Sequence, residues 1–226
     1  MTDSSSSSLL RASNATHSGS NMLRETQHGF LFIQERCTGC KTCEIACKEF
    51  HHLGDDTALR TIHEHVEGAW AQDAEGAWNH NVHCYYLSLS CNHCTNPICM
   101  RFCARDAIAK DARGFVTVNA KRCVGCQSCM TMCPYHAPRF DIASGKVTKC
   151  DGCSTRLAEG KQPICVEACP QRALYAGPIA KLRSIRAMER TVSSLPPLPS
   201  PDITQPNLFI QPGGAAFDER GFPGSA

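Results

Sequence analysis

Sixteen of the 17 cysteines in this 226-residue chain fall into four groups of four. The third, CVGCQSCMTMCP, places Cys123, Cys126, Cys129 and Cys133 at gaps of two, two and three residues, the spacing of a bacterial [4Fe-4S] ligand run. The first repeats it in CTGCKTCEIAC, with Cys37, Cys40, Cys43 and Cys47. The second widens one gap in CNHCTNPICMRFC, with Cys91, Cys94, Cys99 and Cys103, and the fourth is spread out as Cys150, Cys153, Cys165 and Cys169. Three thiols at two-residue gaps let one tight loop wrap three corners of an iron–sulfide cubane. The fourth, three residues on, has entered a helix and faces a neighbouring cluster. Four [4Fe-4S] clusters are therefore expected. Tetrahedral zinc also accepts four thiolates, but it gives no reason for the third cysteine and the CxxxCP ending to recur. A disulfide framework belongs to small secreted domains, and groups this tight are poorly placed for mutual pairing.

The elements that must position these groups are short. Residues 91–140 read as a compact two-cluster ferredoxin: a ligand run, a DAIA segment, a strand over GFVTV from Gly114, then the second run. Residues 22–90 and 141–194 supply a second such unit, split in the chain around the first. GFLFIQ before Cys37 and HCYYLSLS before Cys91 read as strands, and DAEG between Trp70 and Trp78 as a hairpin turn. Behind Pro178, the stripe Leu182, Ile185 and Met188 predicts a C-terminal helix packed on the core. The expected fold is α+β, two ferredoxin-like 2[4Fe-4S] units nested one within the other, with small sheets, short helices and long loops. Residues 1–21 read as a disordered Ser-rich extension, with native translation expected from Met22. Residues 195–226 read as an extended Pro/Gly-rich tail that docks on a partner.

Composition narrows the function. A hydrophobic share of 42% suits a globular protein, and a formal charge of +2 argues against nucleic-acid binding. No stretch of 18 apolar residues predicts a membrane span, and no h-region or twin-arginine pair predicts an export signal. There is no GxGxxG, no P-loop and no nucleophile with evident partners, so no catalytic residue is named. Lys41, Lys48, Arg101, Arg105, Lys121, Arg122, Lys149, Arg156 and Arg172 lie near cysteines in sequence, where cations would stabilise anionic clusters and raise their potentials. Each taken singly is more readily a solvated loop charge. His93, inside CNHC, is a weaker ligand candidate, because Rieske-type histidines serve two-iron clusters at another spacing. His51, His52, His63 and His65 are expected at the surface, and Cys84, in a strand-like run, as a small buried hydrophobe.

The runs CTGCKTCEIACKEF, YYLSLSCNHC and GKVTKCDGCSTRLAEGKQPICVEACPQRAL resemble the electron-transfer iron–sulfur subunits of the membrane-bound dimethyl sulfoxide reductase family, from about Met22 to Pro212. The resemblance implies a non-catalytic four-cluster subunit between a molybdopterin-containing catalytic subunit and a membrane anchor that oxidises menaquinol. The protein would be soluble by itself and membrane-associated through the complex. The side of the membrane stays open, the periplasmic face being reached by co-export with a signal-bearing partner. The same relay role in a polysulfide, thiosulfate, tetrathionate or selenate reductase stays open too, as does a zinc-binding interaction module. Two departures stand out: Ala104 follows Cys103 where such runs often place Pro, and Cys126 stands where a nitrate reductase relative has tryptophan and a three-iron cluster. Gap lengths permit more than one pairing of the runs, with 19 residues between Cys103 and Cys123 and 16 between Cys133 and Cys150. The resemblance favours nesting with exchange: Cys37, Cys40, Cys43 with Cys169; Cys91, Cys94, Cys99 with Cys133; Cys103 with Cys123, Cys126, Cys129; and Cys47 with Cys150, Cys153, Cys165.

Overall fold

The computed structural model describes residues 26–185, 188 and 190–214. The Ser-rich segment 1–21 with its expected boundary at Met22 lies outside the described residues, as do residues 215–226. In sequence order the elements are β1 (His28–Ile33), α1 (Thr42–Phe50), β2 (Arg60–Glu67), β3 (Trp70–Gln72), β4 (Trp78–His80), β5 (His83–Ser90), α2 (Ile98–Arg101), β6 (Ile108–Lys110), β7 (Val116–Val118), α3 (Ser128–Met132), β8 (Arg139–Asp141), β9 (Lys146–Thr148), α4 (Ser154–Ala158), α5 (Ile164–Glu167), β10 (Leu174–Pro178), α6 (Ile179–Leu182) and β11 (Leu208–Gln211). This is an α+β fold of small sheets and short helices.

In β1, Phe30, Leu31, Phe32 and Ile33 are all buried, so the strand faces protein on both sides and must have a neighbour at each edge. β10 pairs with it antiparallel, Phe32 opposite Leu174, and β11 pairs with it parallel, Phe30 opposite Leu208. The other strands form antiparallel pairs: β2 with β5, β3 with β4, β6 with β7, and β8 with β9. Four of these ladders have a common position. β2/β5 links the end of the first cysteine run to the start of the second, β6/β7 the second to the third, and β8/β9 the third to the fourth. β1/β10 then returns the fourth run to the first.

The expected strands over GFLFIQ, HCYYLSLS and GFVTV form as β1, β5 and β7, and DAEG makes the turn between β3 and β4. The Asp73 carboxylate accepts the backbone N–H groups of Glu75 at 3.2 Å and Ala77 at 2.7 Å, which is why Asp opens that turn. The hairpin tip is solvated, with Trp70 and Trp78 exposed.

Three expectations need correction. Cys84 is exposed, because β5 turns Tyr85 and Leu87 inward and Cys84 outward, where its thiol donates to Glu64 Oε1 across the ladder. The C-terminal helix is one turn long. The Ser184 hydroxyl donates back to the Lys181 carbonyl, and Ile185 N–H bonds to Leu182 O, three residues back, so the α-ladder gives way to tighter turns. Leu182 is buried as expected, while Ile185 and Met188 are half-buried. The Pro-rich segment packs on its own chain: Leu195, Thr204, Leu208 and Ile210 are buried. Proline removes donors only where it stands; the free N–H of Val192 bonds to Ile210 O, that of Ile210 bonds to Val192 O, and Tyr85 Oη donates to Pro196 O at 2.7 Å.

Ile210→Ala, at a site with no exposure, is expected to cost about 2–5 kcal/mol and to lower the thermal midpoint of the intact protein. An unchanged midpoint in a melting experiment would put β11 outside the fold.

Candidate metal centres

The ligand loops are set by backbone conformation. In the first CxxC pair of each run the residue before the second cysteine is left-handed: Gly39 at φ 69°, His93 at 44°, Gly125 at 72° and Gly152 at 74°. Glycine reaches this region without strain. It also has no Cβ, which at Gly39 would lie 2.6 Å from the Tyr86 ring, at Gly152 2.7 Å from the Phe115 ring, and at Gly125 against the Gly145 carbonyl. Lys41 and Gln127, the residues just after the second cysteine in the first and third runs, are left-handed too and open α1 and α3, so these two loops repeat one conformation.

A second repeat follows the last cysteine of three runs. Asp106, His136 and Arg172, each three residues on, are left-handed, and each donates its N–H to the carbonyl of Cys103, Cys133 or Cys169. That turn aims the amide of the fourth residue at the sulfur. Ala107 N–H donates to Cys103 Sγ at 3.2 Å and Ala173 N–H to Cys169 Sγ at 3.3 Å, while the Ala137 amide bonds to Cys133. All three alanines are buried. Ala104 leaves this geometry intact where other runs have Pro, so the turn rather than the proline sets it. The Cys-x-x-x-Ala recurrence in CARDA, CPYHA and CPQRA was legible in the sequence and is a signal the cysteine spacing alone misses.

Three cavities of similar size, 310–360 Å³ of non-protein space, are each lined by four cysteines. Cys37, Cys40, Cys43 and Cys169 line one. Cys91, Cys94, Cys99 and Cys133 line the second, and Cys103, Cys123, Cys126 and Cys129 the third. Cys47, Cys150, Cys153 and Cys165 form a fourth group, all buried, with the charge of Cys165 felt at Cys47, Cys150 and Cys153. A lining of four convergent thiols suits a [4Fe-4S] cluster, and the amide donors to sulfur suit an anionic one.

Burial pushes the Cys47 and Cys99 thiols up to about 12 and the Cys94, Cys129 and Cys153 thiols up to about 11. Thiols held this far above 9 are protonated at neutral pH on their own, and a metal ion binds them by displacing the protons. Cys40 and Cys126 are the exposed corners. The hydroxyls of Thr42 and Ser128, 3.3 and 3.5 Å away, draw these two thiols below their ordinary value.

Of the nine cations near cysteines in sequence, Lys149 alone is buried; Lys48 and Arg156 are half-buried and the rest are exposed. Sequence proximity misses Arg60, thirteen residues from Cys47, which is 2% exposed and feels the charge of Cys165, Cys43, Cys150 and Cys47. His93 is buried and held neutral by burial and by Lys149; its Nδ1 accepts the Val116 N–H at 3.0 Å. His52 and His63 are exposed as expected, whereas His51 and His65 are half-buried. His51 Nε2 lies 3.6 Å from Cys153 Sγ and 3.9 Å from Asp151, and His65 Nε2 2.7 Å from Glu67. His51, Asp151 and Cys153 converge closely enough to hold an ion, but Cys153 already belongs to the fourth thiol group.

The family model described as a 4Fe-4S dicluster domain matches residues 82–179. Over 202 residues the protein is 49% identical to the B subunit of the anaerobic dimethyl sulfoxide reductase of Haemophilus influenzae, covering 88% of its own length and 97% of the relative's. It belongs to the family of dimethyl sulfoxide reductase B subunits. It is 48% identical to the Escherichia coli subunit of the same name, over 83% of its own length and 89% of the relative's. To the polysulfide reductase B subunit of Wolinella succinogenes it is 32% identical, over 82% and 94%. The matched range holds the second, third and fourth cysteine runs, so the family's iron–sulfur character falls on thiols that the structure brings together. No helix among the described residues is long and apolar enough to cross a membrane.

Gly125→Ala is expected to lower bound iron, because the new methyl meets the Gly145 carbonyl and the residue must hold φ 72°. Gly76→Ala, at φ 85° in the open hairpin tip, is the control and is expected to retain full iron. Equal iron in both variants would show that the loop tolerates a Cβ.

Proposed function

We propose that this protein is the electron-transfer subunit of a reductase complex, carrying four [4Fe-4S] clusters between a menaquinol-oxidising membrane anchor and a molybdopterin-containing catalytic subunit. A [4Fe-4S] cluster, when bound, takes up and releases one electron at a time. Electron transfer by this subunit, with catalysis carried by another, agrees with its family.

The observation that carries the ligand assignment is the lining of three separate cavities by one complete set of four thiols each. The proposed sets are Cys37, Cys40, Cys43 and Cys169; Cys91, Cys94, Cys99 and Cys133; Cys103, Cys123, Cys126 and Cys129; and Cys47, Cys150, Cys153 and Cys165. Nesting has its own support. Ile33, four residues before Cys37, donates its N–H to the carbonyl of Ala173, four residues after Cys169. Asn119, four before Cys123, donates to Ala107, four after Cys103. The same closure joins runs four and one and runs two and three, and this likeness supports the proposal that residues 22–90 with 141–194 are one unit around 91–140 as the other.

The fold leaves one corner of the Cys37 set and one of the Cys103 set at the surface, at Cys40 and Cys126, and encloses the Cys47 set. Those two corners are the proposed places of electron entry and exit. Dimethyl sulfoxide is the favoured terminal acceptor of the complex; a polysulfide reductase is the second reading, carried by the 32% identity over most of the sequence. The proposed location is the membrane surface, through the partners.

Two measurements check this reading. Anaerobically purified protein is expected to contain iron and acid-labile sulfide and no stoichiometric zinc, the reverse result supporting an interaction module instead. Ser replacement at Cys37 and at Cys169 is expected to alter the same EPR signal, while Cys153→Ser alters a different one. If Cys169→Ser and Cys153→Ser change one shared signal and spare that of Cys37, the exchange between runs is wrong.

A further inference from the structure

Two cations lie in the interior without an acid to match them. Arg60 is 2% and Lys149 5% exposed, and among the described residues neither comes within ion-pair distance of a carboxylate. Their hydrogen bonds go mostly to neutral groups. Arg60 donates through Nη1 to Ser88 O at 3.2 Å and Ser88 Oγ at 3.0 Å, and through Nη2 to Ser90 Oγ at 2.9 Å, with its guanidinium 5.2 Å from the centre of the Phe30 ring. Lys149 Nζ donates to the carbonyls of Val116 and Cys150, and to the Cys91 side chain. A buried charge so arranged is strongly unfavourable unless an anion compensates it.

Their surroundings say which anion. The titratable neighbours of Arg60 are Cys165, Cys43, Cys150 and Cys47, drawn from two thiol sets and anionic once a metal centre displaces their protons; those of Lys149 are Cys91 and Cys99 from one set and Cys150 from another. Ser88 connects Arg60 to one set directly. Because its hydroxyl oxygen accepts from Arg60, its own proton is free for Cys43 Sγ, 3.4 Å away.

We propose that Arg60 and Lys149 are shared counter-charges of the metal centres, Arg60 raising the reduction potentials of the Cys37 and Cys47 sets together and Lys149 those of the Cys91 and Cys47 sets together. The reason is electrostatic: reduction adds negative charge to a centre, and a fixed cation nearby favours the more negative state, the more so in an interior of low effective dielectric. The Cys47 set feels both cations, whereas neither is among the main influences on Cys126 and Cys129 of the Cys103 set. This inference rests on the four-cluster reading above and specifies how two of the protein's own residues shape it.

The test is an EPR-monitored redox titration of the intact complex in its membrane, with signals assigned to sets by the Cys→Ser variants and iron measured on every sample. Arg60→Gln is expected to lower the potentials of the Cys37 and Cys47 sets and Lys149→Met those of the Cys91 and Cys47 sets. Each shift is expected to change the reduced-to-oxidised ratio at a fixed potential about tenfold, about 59 mV for one electron. The Cys103 signal stays in place in both variants. Unmoved potentials with full iron, or an equal shift of all four signals, would overturn the proposal. If Arg60→Gln loses iron, Arg60→Lys and Ser88→Ala decide. The proposal requires native potentials in the first and a lowered Cys37-set potential alone in the second; any other pattern sinks it. Iron missing from the unmutated complex would instead overturn the four-cluster reading.

Discussion

Everything in this fold answers to one constraint: four thiols must converge on one point, and a single loop supplies at most three of them. The fourth must be carried in from another run, so each run has to be fastened to another by something rigid. Two-stranded antiparallel ladders do this here, one for each connection between runs, with β1 and β10 closing the set. A ladder fixes register to the residue, and a slip of one would turn every side chain to the opposite face. The pairing of Ile33 with Ala173 and of Asn119 with Ala107 therefore sets where Cys169 and Cys103 arrive as firmly as the loops set the other thiols.

Outside the β1 sheet there is little else to hold the protein together. Among the described residues, Cys47, Cys91, Cys133 and Cys150 share one buried cluster with Leu59 and Ala137, flanked by the partly buried Leu53 and Tyr135, and Cys99 and Cys129 share another with Ile108, Val116 and Val147. Small cores of this kind are marginal without a covalent or metal staple. Interior thiols, the proposed ligands, thus make up much of these cores. The same interior also holds an arginine and a lysine that no apolar core would accommodate unpaired.

The convergence of the grouped cysteines, the strands beside them and the α+β class were legible because side chains that must meet at one point leave a pattern of residue type and spacing that little else requires. The left-handed positions were legible in part: Gly39, Gly125 and Gly152 announce themselves, whereas His93 takes the same conformation with a side chain. Arg60 was hidden because its neighbours are brought to it by the β2/β5 ladder and not by sequence. Cys84 misled because strand-like composition does not say which face a residue takes; pairing to β2 decided it. The segment after Leu195 misled for a different reason. Its prolines mark extended backbone correctly, but an extended segment that ends in LFIQ finds a free sheet edge at β1, and composition says nothing about free edges.

The parallel addition of β11 to β1 carries a consequence for how the molecule comes into being. β1 starts at residue 28, its antiparallel neighbour at 174 and its parallel neighbour at 208, so the central sheet is assembled from the two ends of the sequence. Contacts this distant in sequence form slowly, and a nascent polypeptide cannot make them until nearly all of it has left the ribosome. Cys37, Cys40 and Cys43 are the first of the sixteen grouped thiols to be synthesised, yet Cys169, which lines the same cavity, is the last. During synthesis the earliest thiols therefore wait the longest for the residue that completes their group.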